Sequence, residues 1–210
     1  QHAKELRLHS DVRPEDRLFF FTTCGWMMWN WVVSGLMVGT PVILYEGNPF
    51  HPGPDRLWQM AEAERLTHMG VSAKYVDAVR NAGYLPGQNV DLSALRMILS
   101  TGSPLSAEAF EFIYRDVSPS LQLCSISGGT DLISCFVLGT PTQPVHAGEI
   151  QSRGLGMAVE ILDDDGKPVW SLAEQVTLTM RQFSDEFLEA YLLDVGDDVL
   201  KSVGCYQLEG

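Results

Sequence analysis

The sequence predicts an α/β fold: a doubly wound, mostly parallel sheet with helices on both faces, followed by the start of a β-rich subdomain. Short apolar runs of strand length alternate with helix-length segments through about residue 135, which is typical of a parallel sheet. The predicted strands are apolar along their length, as strands buried on both faces are. After Asp131 the helical segments give way to short strands and turn residues.

The first fifty residues predict a helix, a strand, a second helix and a second strand. Residues 1–10 have the character of the end of a helix, and the run LFFFTT at 18–23 predicts a buried strand. An apolar helix follows over 26–38, with Gly39 at the expected C-terminal position. The β-branched and aromatic run PVILYE at 41–46 predicts the next strand.

Two helices and then a strand are predicted before residue 103. The proline-rich loop NPFHPGPD ends at Asp55, a candidate N-cap for a helix over 56–67. Another helix is expected over 75–82, with Gly83 just past its end. The run LRMILSTG at 95–102 predicts the third strand.

The next segment predicts a helix, a fourth strand and a glycine turn. Pro104 stands near the start of the helical run PLSAEAFEFIYRDV, and Ser106 is its candidate N-cap. LQLCSIS at 121–127 predicts a strand that runs into the sequence GGTD. Further on, residues 148–169 predict short strands and a hairpin turning at Asp165–Gly166. We therefore divide the chain into an α/β subdomain (1–135), the start of a β-rich subdomain (136–169) and an acidic tail (170–210).

Composition excludes several function classes. The formal net charge of −13 disfavours nucleic-acid binding, because a phosphate backbone would be repelled. The four cysteines show no metal-ligand spacing and are expected to be buried thiols. The apolar run at 26–45 is broken by Asn30, Gly35 and Pro41, which favours a buried helix and strand over a membrane span. With no secretory signal in its first residues, the sequence predicts a cytoplasmic protein without membrane or nucleic-acid partners.

Three loops are predicted to meet at one rim of the sheet. Ligands of parallel α/β sheets bind outside the carboxyl ends of the strands. This rule brings together the loops at 24–30, 101–104 and 128–131. We expect a ligand site where they converge.

The sequence GGTD, residues 128–131, has two interpretations. Glycines let the backbone approach a ligand closely, and a hydroxyl and a carboxylate after them suit a phosphate and a magnesium ion. An ordinary strand-end turn, in which Thr130 and Asp131 satisfy local backbone groups, explains the same residues.

The other two loops also allow a structural explanation. STGSPLS, residues 100–106, either presents backbone groups to a planar ring or anion, or simply caps a helix. The tryptophans and methionines of TTCGWMMWNW are core residues or walls of an acyl pocket. RGLGMA, residues 153–158, is interpreted as a bend in a strand, and His51, His68 and His146 as structural or surface residues.

Taken together, these stretches closely resemble the adenylate-forming acyl-CoA synthetase superfamily, and within it the acetoacetate–CoA ligases. The resemblance runs from about residue 1 to about residue 169, with the three motifs in order and at matching spacing. It implies an enzyme that activates a short keto acid, acetoacetate or a similar acid, with ATP and Mg²⁺ to an acyl-adenylate. The acyl group is then transferred to CoA, with release of AMP.

The resemblance also implies roles for individual residues. Thr130 would contact the AMP phosphate, and Asp131, an aspartate where the family usually has glutamate, would be the catalytic acid associated with the metal. The remaining implied contacts are Gly102, Ser103 and Pro104 for adenine, Ser125, Ile126, Ser127, Gly128 and Gly129 for the other side of the nucleotide, and Trp26, Met27 and Met28 for the acyl group. Gly128 stands where acetate-specific relatives carry a tryptophan, so it implies room for a longer acid.

Parts of the family pattern are not in this sequence. The phosphate loop with its lysine and the small domain with the catalytic lysine are missing, and residues 170–210 do not match. We therefore expect a fragment of the large N-terminal domain of an acetoacetate–CoA ligase, with little or no turnover alone. The alternative is a non-catalytic module that binds a nucleotide or acyl-CoA.

Overall fold

A five-stranded parallel sheet organises the computed structural model, which describes residues 1–172 and 184–195. Its strands lie in the order β2-β1-β3-β4-β5, and every neighbouring pair is parallel. This is one of the two common doubly wound orders, so the predicted fold class is confirmed. The strands are β1 (Leu18–Phe20), β2 (Val42–Ile43), β3 (His68–Ser72), β4 (Met97–Thr101) and β5 (Gln122–Ser125).

The central strand β3 was not predicted from the sequence. Its residues, HMGVS, include a histidine and a glycine and form no long apolar run. The structure explains both residues. His68 is buried, and a Cβ built on Gly70 would lie 1.9 Å from Cδ2 of Phe20. The Phe20 ring of β1 therefore occupies the space above Gly70, and only glycine leaves room for it.

Helices cover both faces of the sheet. Alternate strand residues point to opposite faces, so Phe19 and Ile98 pack in one core while Phe20 and Leu99 pack in the other. Helices α3, α4 and α6 contribute to the first core, and α2 to the second. The helices are α1 (His2–Lys4, continued by a π-helical segment Glu5–His9), α2 (Met27–Val33, continued by a 3₁₀ segment Ser34–Val38), α3 (Arg56–Ala63), α4 (Ala73–Asn81), α5 (Pro86–Asn89) and α6 (Ala107–Phe112, continued by a π-helical segment Ile113–Val117).

The predicted helix ends are confirmed in part. Gly39 and Gly83 adopt left-handed φ angles of 81° and 68°, and Ser106 Oγ accepts a hydrogen bond from the Ala109 amide at 3.2 Å. Asp55 stands at the N-cap position of α3, as predicted, but its carboxylate caps no backbone amide and instead accepts a hydrogen bond from Gln59 Nε2 at 2.5 Å. Helix α3 also ends earlier than expected, and Arg65 just beyond it has a φ of 49°.

The segment after β5 is β-rich. A three-stranded antiparallel sheet contains β6 (Ser127–Gly129), β7 (Ser134–Leu138) and β8 (Ser152–Arg153). The predicted turn at Gly166, where φ is 75°, joins β9 (Val159–Leu162) to β10 (Pro168–Leu172). The division at residue 135 into an α/β subdomain and a β-rich subdomain stays a prediction from the sequence.

The chain divides into two compact units, Gln1–Glu174 and Gln175–Gly210. In the second unit the described residues form helix α7 (Asp185–Val195), whose start is capped by Ser184 Oγ accepting from the Phe187 amide at 3.1 Å. Most of the acidic tail predicted for 170–210 lies outside the described residues. No helix within the described ranges is long and apolar enough to cross a bilayer.

Buried polar groups join the segments at the amino ends of the strands. Asp16, 3% exposed, accepts hydrogen bonds from the Arg13 amide at 2.8 Å and from the Arg96 guanidinium at 2.6 Å. Nearby, His68 Nε2 donates to the Ser10 carbonyl at 2.7 Å, and its Nδ1 lies 2.8 Å from Thr67 Oγ1. The polar side chains at the amino ends of the strands therefore hold the structure together. His68, which the sequence predicted to be structural or on the surface, is one of these buried structural groups.

We predict that Gly70→Ala destabilises the protein because the new methyl group meets the buried Phe20 ring. The free energy of unfolding, measured by urea denaturation, should fall by about 1–3 kcal/mol or more. Gly25→Ala is the matched control, since a Cβ there meets nothing within 4 Å. Equal stability of the two variants would contradict the packing described for Phe20.

Stability should also depend on pH through two buried histidines. Burial lowers the pKa of His9, near Lys4 and Glu5, and of His68, near Asp16 and Arg96, below 6.5. Below about pH 6.5 the unfolded chain therefore binds more protons than the folded chain, so stability is lost as pH falls.

Urea unfolding followed between about pH 7.5 and about pH 5.5 should show this decline, and His9→Gln should make it shallower. A decline as steep in the variant as in the wild type would show that His9 does not contribute to it.

Candidate functional site

A cavity of about 450 Å³ opens where the three predicted loops converge. It lies beyond the carboxyl ends of β4 and β5, as expected for a doubly wound sheet. All predicted site residues except Asp131 line it. They are Trp26, Met27, Met28, Gly102, Ser103, Pro104, Ser125, Ile126, Ser127, Gly128, Gly129 and Thr130.

Helix α2 supplies the aromatic and thioether wall. Trp26 precedes the helix in extended conformation, while Met27 and Met28 in its first turn are buried. The Trp26 ring packs edge-on against Phe20, with centroids 5.9 Å apart and an interplanar angle of 78°. The β1 core residue therefore fixes the position of the tryptophan at the cavity.

The turn after β4 forms a second wall, and it contacts the first. Gly102 has a φ of 90°, and a Cβ built on it would lie 3.5 Å from Cζ2 of Trp26. Thr101 Oγ1 donates a 2.9 Å hydrogen bond to the Ile126 carbonyl, which ties this turn to the segment after β5. Positive φ favours glycine at position 102, so the turn depends on this residue.

The two glycines of β6 differ in their surroundings. Gly128 pairs with Cys135 across an irregularity in the β6–β7 ladder, and a Cβ on it would lie 2.2 Å from the Ser134 carbonyl oxygen. A Cβ on Gly129 would meet the end of the Leu132 side chain at 3.3 Å. The close approach of β7 therefore requires glycine at position 128, whatever its effect on the acyl pocket.

Thr130 and Asp131 lie in the turn between β6 and β7, but only Thr130 lines the cavity. The turn is closed by a 3.0 Å hydrogen bond from the Ile133 amide to the Thr130 carbonyl. Asp131 is exposed beside it. The structure thus places the predicted phosphate ligand at the cavity and the predicted metal ligand next to it.

A single carboxylate is compatible with the implied magnesium ion. Among residues 1–172 and 184–195, no group of three or more His, Cys, Asp and Glu side chains is placed to hold a metal. Mg²⁺ is commonly held by one or two carboxylates together with substrate phosphates and water. Asp131 fits that pattern, and its metal role stays a prediction.

The described lining carries no charged side chain. Its polar groups are the hydroxyls of Thr101, Ser103, Ser125, Ser127 and Thr130 together with backbone amides and carbonyls. An anionic ligand would therefore be held by hydrogen bonds here, within a chain whose net charge is −13.

Sequence reasoning gave no individual role to five lining residues, namely Thr101, Leu105, Cys135, Gly148 and Ile150. The first two lie within the predicted segment STGSPLS, residues 100–106. The other three come from β7 and from a later loop without a recognisable motif. Burial, and secondarily the Glu5 carboxylate, raise the pKa of the Cys135 thiol, so it stays protonated and is a packing group rather than a nucleophile.

The remaining cysteines and histidines are placed mostly as predicted. Cys124 is buried, and burial raises its pKa to about 12. Cys24 is exposed, which corrects its prediction as a buried thiol, and Cys205 lies outside the described residues. His51 and His146 are at least partly exposed. The RGLGMA stretch is a bend after β8, with a φ of 78° at Gly156.

Comparison with known proteins gives a consistent result. The family model described as AMP-binding enzyme matches residues 2–174. The chain is 57% identical over 169 residues to acetoacetyl-coenzyme A synthetase of Rhizobium meliloti (strain 1021), covering 80% of this chain and 26% of that protein. It is 44% identical over 179 residues to acetoacetyl-CoA synthetase of Gallus gallus, covering 85% and 27%.

A solved structure agrees in fold. Acetoacetyl-CoA synthetase from Streptomyces lividans superimposes with a TM-score of 0.74 at 45% identity, over 80% of this chain and 26% of that one. The chain thus spans about a quarter of the length of the relatives that it matches.

The two glycines of β6 should respond differently to substitution. Gly128→Ala places a methyl group against the β7 backbone and should lower the free energy of unfolding by about 1–3 kcal/mol. Gly129→Ala, the matched control, meets only a flexible leucine side chain and should cost less. Thermal or urea unfolding measures both, and a larger loss for Gly129→Ala would contradict the ladder described here.

Proposed function

Because the chain belongs to the AMP-binding enzyme family, we propose that it forms the adenylate-binding part of an acetoacetate–CoA ligase. The observation that supports this most strongly is that three loops far apart in sequence line one and the same cavity. Each of these loops carries residues that the family resemblance assigns to a different part of an acyl-adenylate.

The proposed reaction of the whole enzyme has two steps. A carboxylate oxygen of acetoacetate, or of a similar short acid, attacks the α-phosphorus of ATP, and pyrophosphate leaves. The sulfur of CoA then attacks the acyl carbonyl carbon, and AMP leaves with the bonding electrons. In this chain the cavity would hold the mixed anhydride formed between the two steps.

The nucleotide end of the cavity is assigned to two backbone segments. The turn Gly102–Pro104 would contact adenine from one side, and Ser125–Gly129 would contact the nucleotide from the other. The hydrogen bond from Thr101 to the Ile126 carbonyl holds these segments in a fixed relation. Because these walls are already fixed, the α-phosphorus is positioned for attack without a further loss of conformational entropy when the reaction occurs.

Thr130 would donate its hydroxyl to a phosphate oxygen, and Asp131 would hold Mg²⁺. A bound magnesium ion supplies positive charge that offsets the charge of the phosphates. Within the described lining, the chain offers the phosphate only neutral donors such as the Thr130 hydroxyl. Oppositely charged groups on the transferring phosphate account for much of such catalysis, so we expect little turnover from this chain alone.

The acyl end is assigned to Trp26, Met27 and Met28. Their side chains give an apolar wall suited to a short carbon chain. Discrimination by size is worth only about 1–3 kcal/mol per methylene, so acetoacetate and acids of similar length are the proposed substrates. A cytoplasmic location and the lack of nucleic-acid partners stay predictions from the sequence.

A second candidate function is a non-catalytic module that binds a nucleotide or acyl-CoA. The uncharged lining favours it, because binding needs the walls of the cavity while adenylation also needs charged groups.

Calorimetry with AMP and with adenosine tests the proposed site. We expect the chain to bind both, and Thr130→Ala to weaken AMP by about three- to tenfold, the loss of one hydrogen bond, while adenosine is unaffected. Thr142→Ala, an exposed threonine outside the cavity lining, is the matched control.

If the wild-type chain binds neither AMP nor adenosine, the proposed adenylate site is contradicted. Pyrophosphate release with ATP and acetoacetate separates the two functions. Robust release by the 210-residue chain would rule out both the non-catalytic module and the expectation of an inactive fragment.

A further inference from the structure

The N-terminal helical segment reaches the turn that carries Thr130. His2 Nε2 donates a 2.6 Å hydrogen bond to the carbonyl of Ile133, 131 residues away in sequence. Glu5, three residues later on the same helical segment, accepts hydrogen bonds from Ser134 and Cys135, the first two residues of β7. We call the His2 and Glu5 contacts to residues 133–135 the N-terminal clamp.

Ile133 is held in an unfavourable backbone conformation. Its φ is 50°, a left-handed value that a β-branched residue rarely adopts. Such strain persists only where the surrounding contacts over-determine the backbone. Here the amide of Ile133 donates to the Thr130 carbonyl at 3.0 Å, and its carbonyl accepts from His2. The strained residue thus connects the clamp directly to Thr130.

Glu5 joins this turn to the acyl wall. Its side chain is completely buried, and its carboxylate accepts hydrogen bonds from two elements, β7 and α2. Oε1 accepts from Ser134 Oγ and from the Cys135 amide at 3.4 Å, and Oε2 accepts from Nε1 of Trp31 at 3.1 Å. Trp31 lies on α2, about one helical turn after Met27 and Met28. One carboxylate therefore links β7 with the helix that begins at the acyl pocket.

We propose that His2 and Glu5 are positioning residues that set the place of Thr130 relative to the acyl wall of α2. This inference rests on the proposed function, because it assigns the turn to phosphate binding. A buried carboxylate is costly and contributes little net stability compared with apolar packing. The hydrogen bonds of the Glu5 carboxylate and the strained backbone of Ile133 are both expected where the position of the turn matters more than the stability of the fold.

The experiment compares two substitutions on the same helical segment of the 210-residue chain. His2→Ala removes the bond to Ile133 and also the 2.9 Å contact between His2 Nδ1 and Ser34 Oγ. Arg7→Ala is the matched control, because the Arg7 guanidinium donates to the Val38 carbonyl at 2.9 Å, away from the turn. Glu5→Gln is a third variant, and if it fails to fold, the His2 substitution near the start of the chain still decides the question.

Two measurements are made on each variant. Hydrogen–deuterium exchange of a peptide over residues 127–138 reports opening of the turn, and a peptide from β3 to β4 reports the core. Calorimetry gives the affinities for AMP and adenosine. We expect His2→Ala to increase exchange in the turn alone and to weaken AMP about three- to tenfold, with adenosine unchanged. Arg7→Ala should change neither.

A rescue variant separates positioning from general packing. Glycine adopts a positive φ at no steric cost, so Ile133→Gly should reduce the effect of His2→Ala on AMP affinity. In a Thr130→Ala background, His2→Ala should have no further effect on AMP, because the group that it positions is absent.

The other outcomes are also decisive. Unchanged exchange in the turn, or equal weakening of AMP and adenosine, would overturn the clamp as a positioning device. If the wild type binds neither ligand, the proposed function fails. The exchange data then still decide whether the clamp holds the turn, with increased exchange in His2→Ala supporting it and unchanged exchange overturning it.

Discussion

The packing of Phe20 over Gly70 is the contact on which the rest of this structure depends. The absence of a side chain at Gly70 lets a phenyl ring of β1 lie directly over β3, where a Cβ would come within 1.9 Å of it. The same ring contacts Trp26 and Trp31 edge-on, with centroids 5.9 Å and 6.2 Å away. One residue therefore connects the centre of the sheet, the wall of the cavity and the helix held by Glu5.

The two edges of the parallel sheet use polar groups differently. At the amino edge, Asp16, Arg96 and His68 form hydrogen bonds that hold neighbouring segments together. At the carboxyl edge the cavity is lined by hydroxyls, backbone groups and apolar side chains, with no charge among its described residues. This separation fits a site in which the protein supplies shape and hydrogen bonds, and in which the charge needed for phosphoryl chemistry comes from outside the described lining.

Two features beside the cavity at the carboxyl edge cost stability. A β-branched residue, Ile133, adopts a left-handed backbone, and a carboxylate, Glu5, is buried without solvent contact. Both lie next to the turn that bears Thr130, and Glu5 contacts Ser134 and Cys135, the two residues that follow Ile133. Strained backbone of this kind persists where the surrounding contacts hold a geometry in one state, which agrees with the position of Ile133 beside the cavity.

Local patterns were sufficient for most of the helices, four of the five parallel strands and the three loops of the cavity. Apolar runs, helix-ending glycines and the GGTD turn all depend on interactions within a few residues, which the sequence displays directly. Other features depend on contacts between residues far apart in the chain. They are strand β3, the place of Cys135 and Gly148 in the cavity lining, and the hydrogen bonds of His2 and Glu5. Only the tertiary structure decides these, because a short strand with a histidine and a glycine is stable only between its two neighbours, and no local pattern specifies which distant backbone will approach.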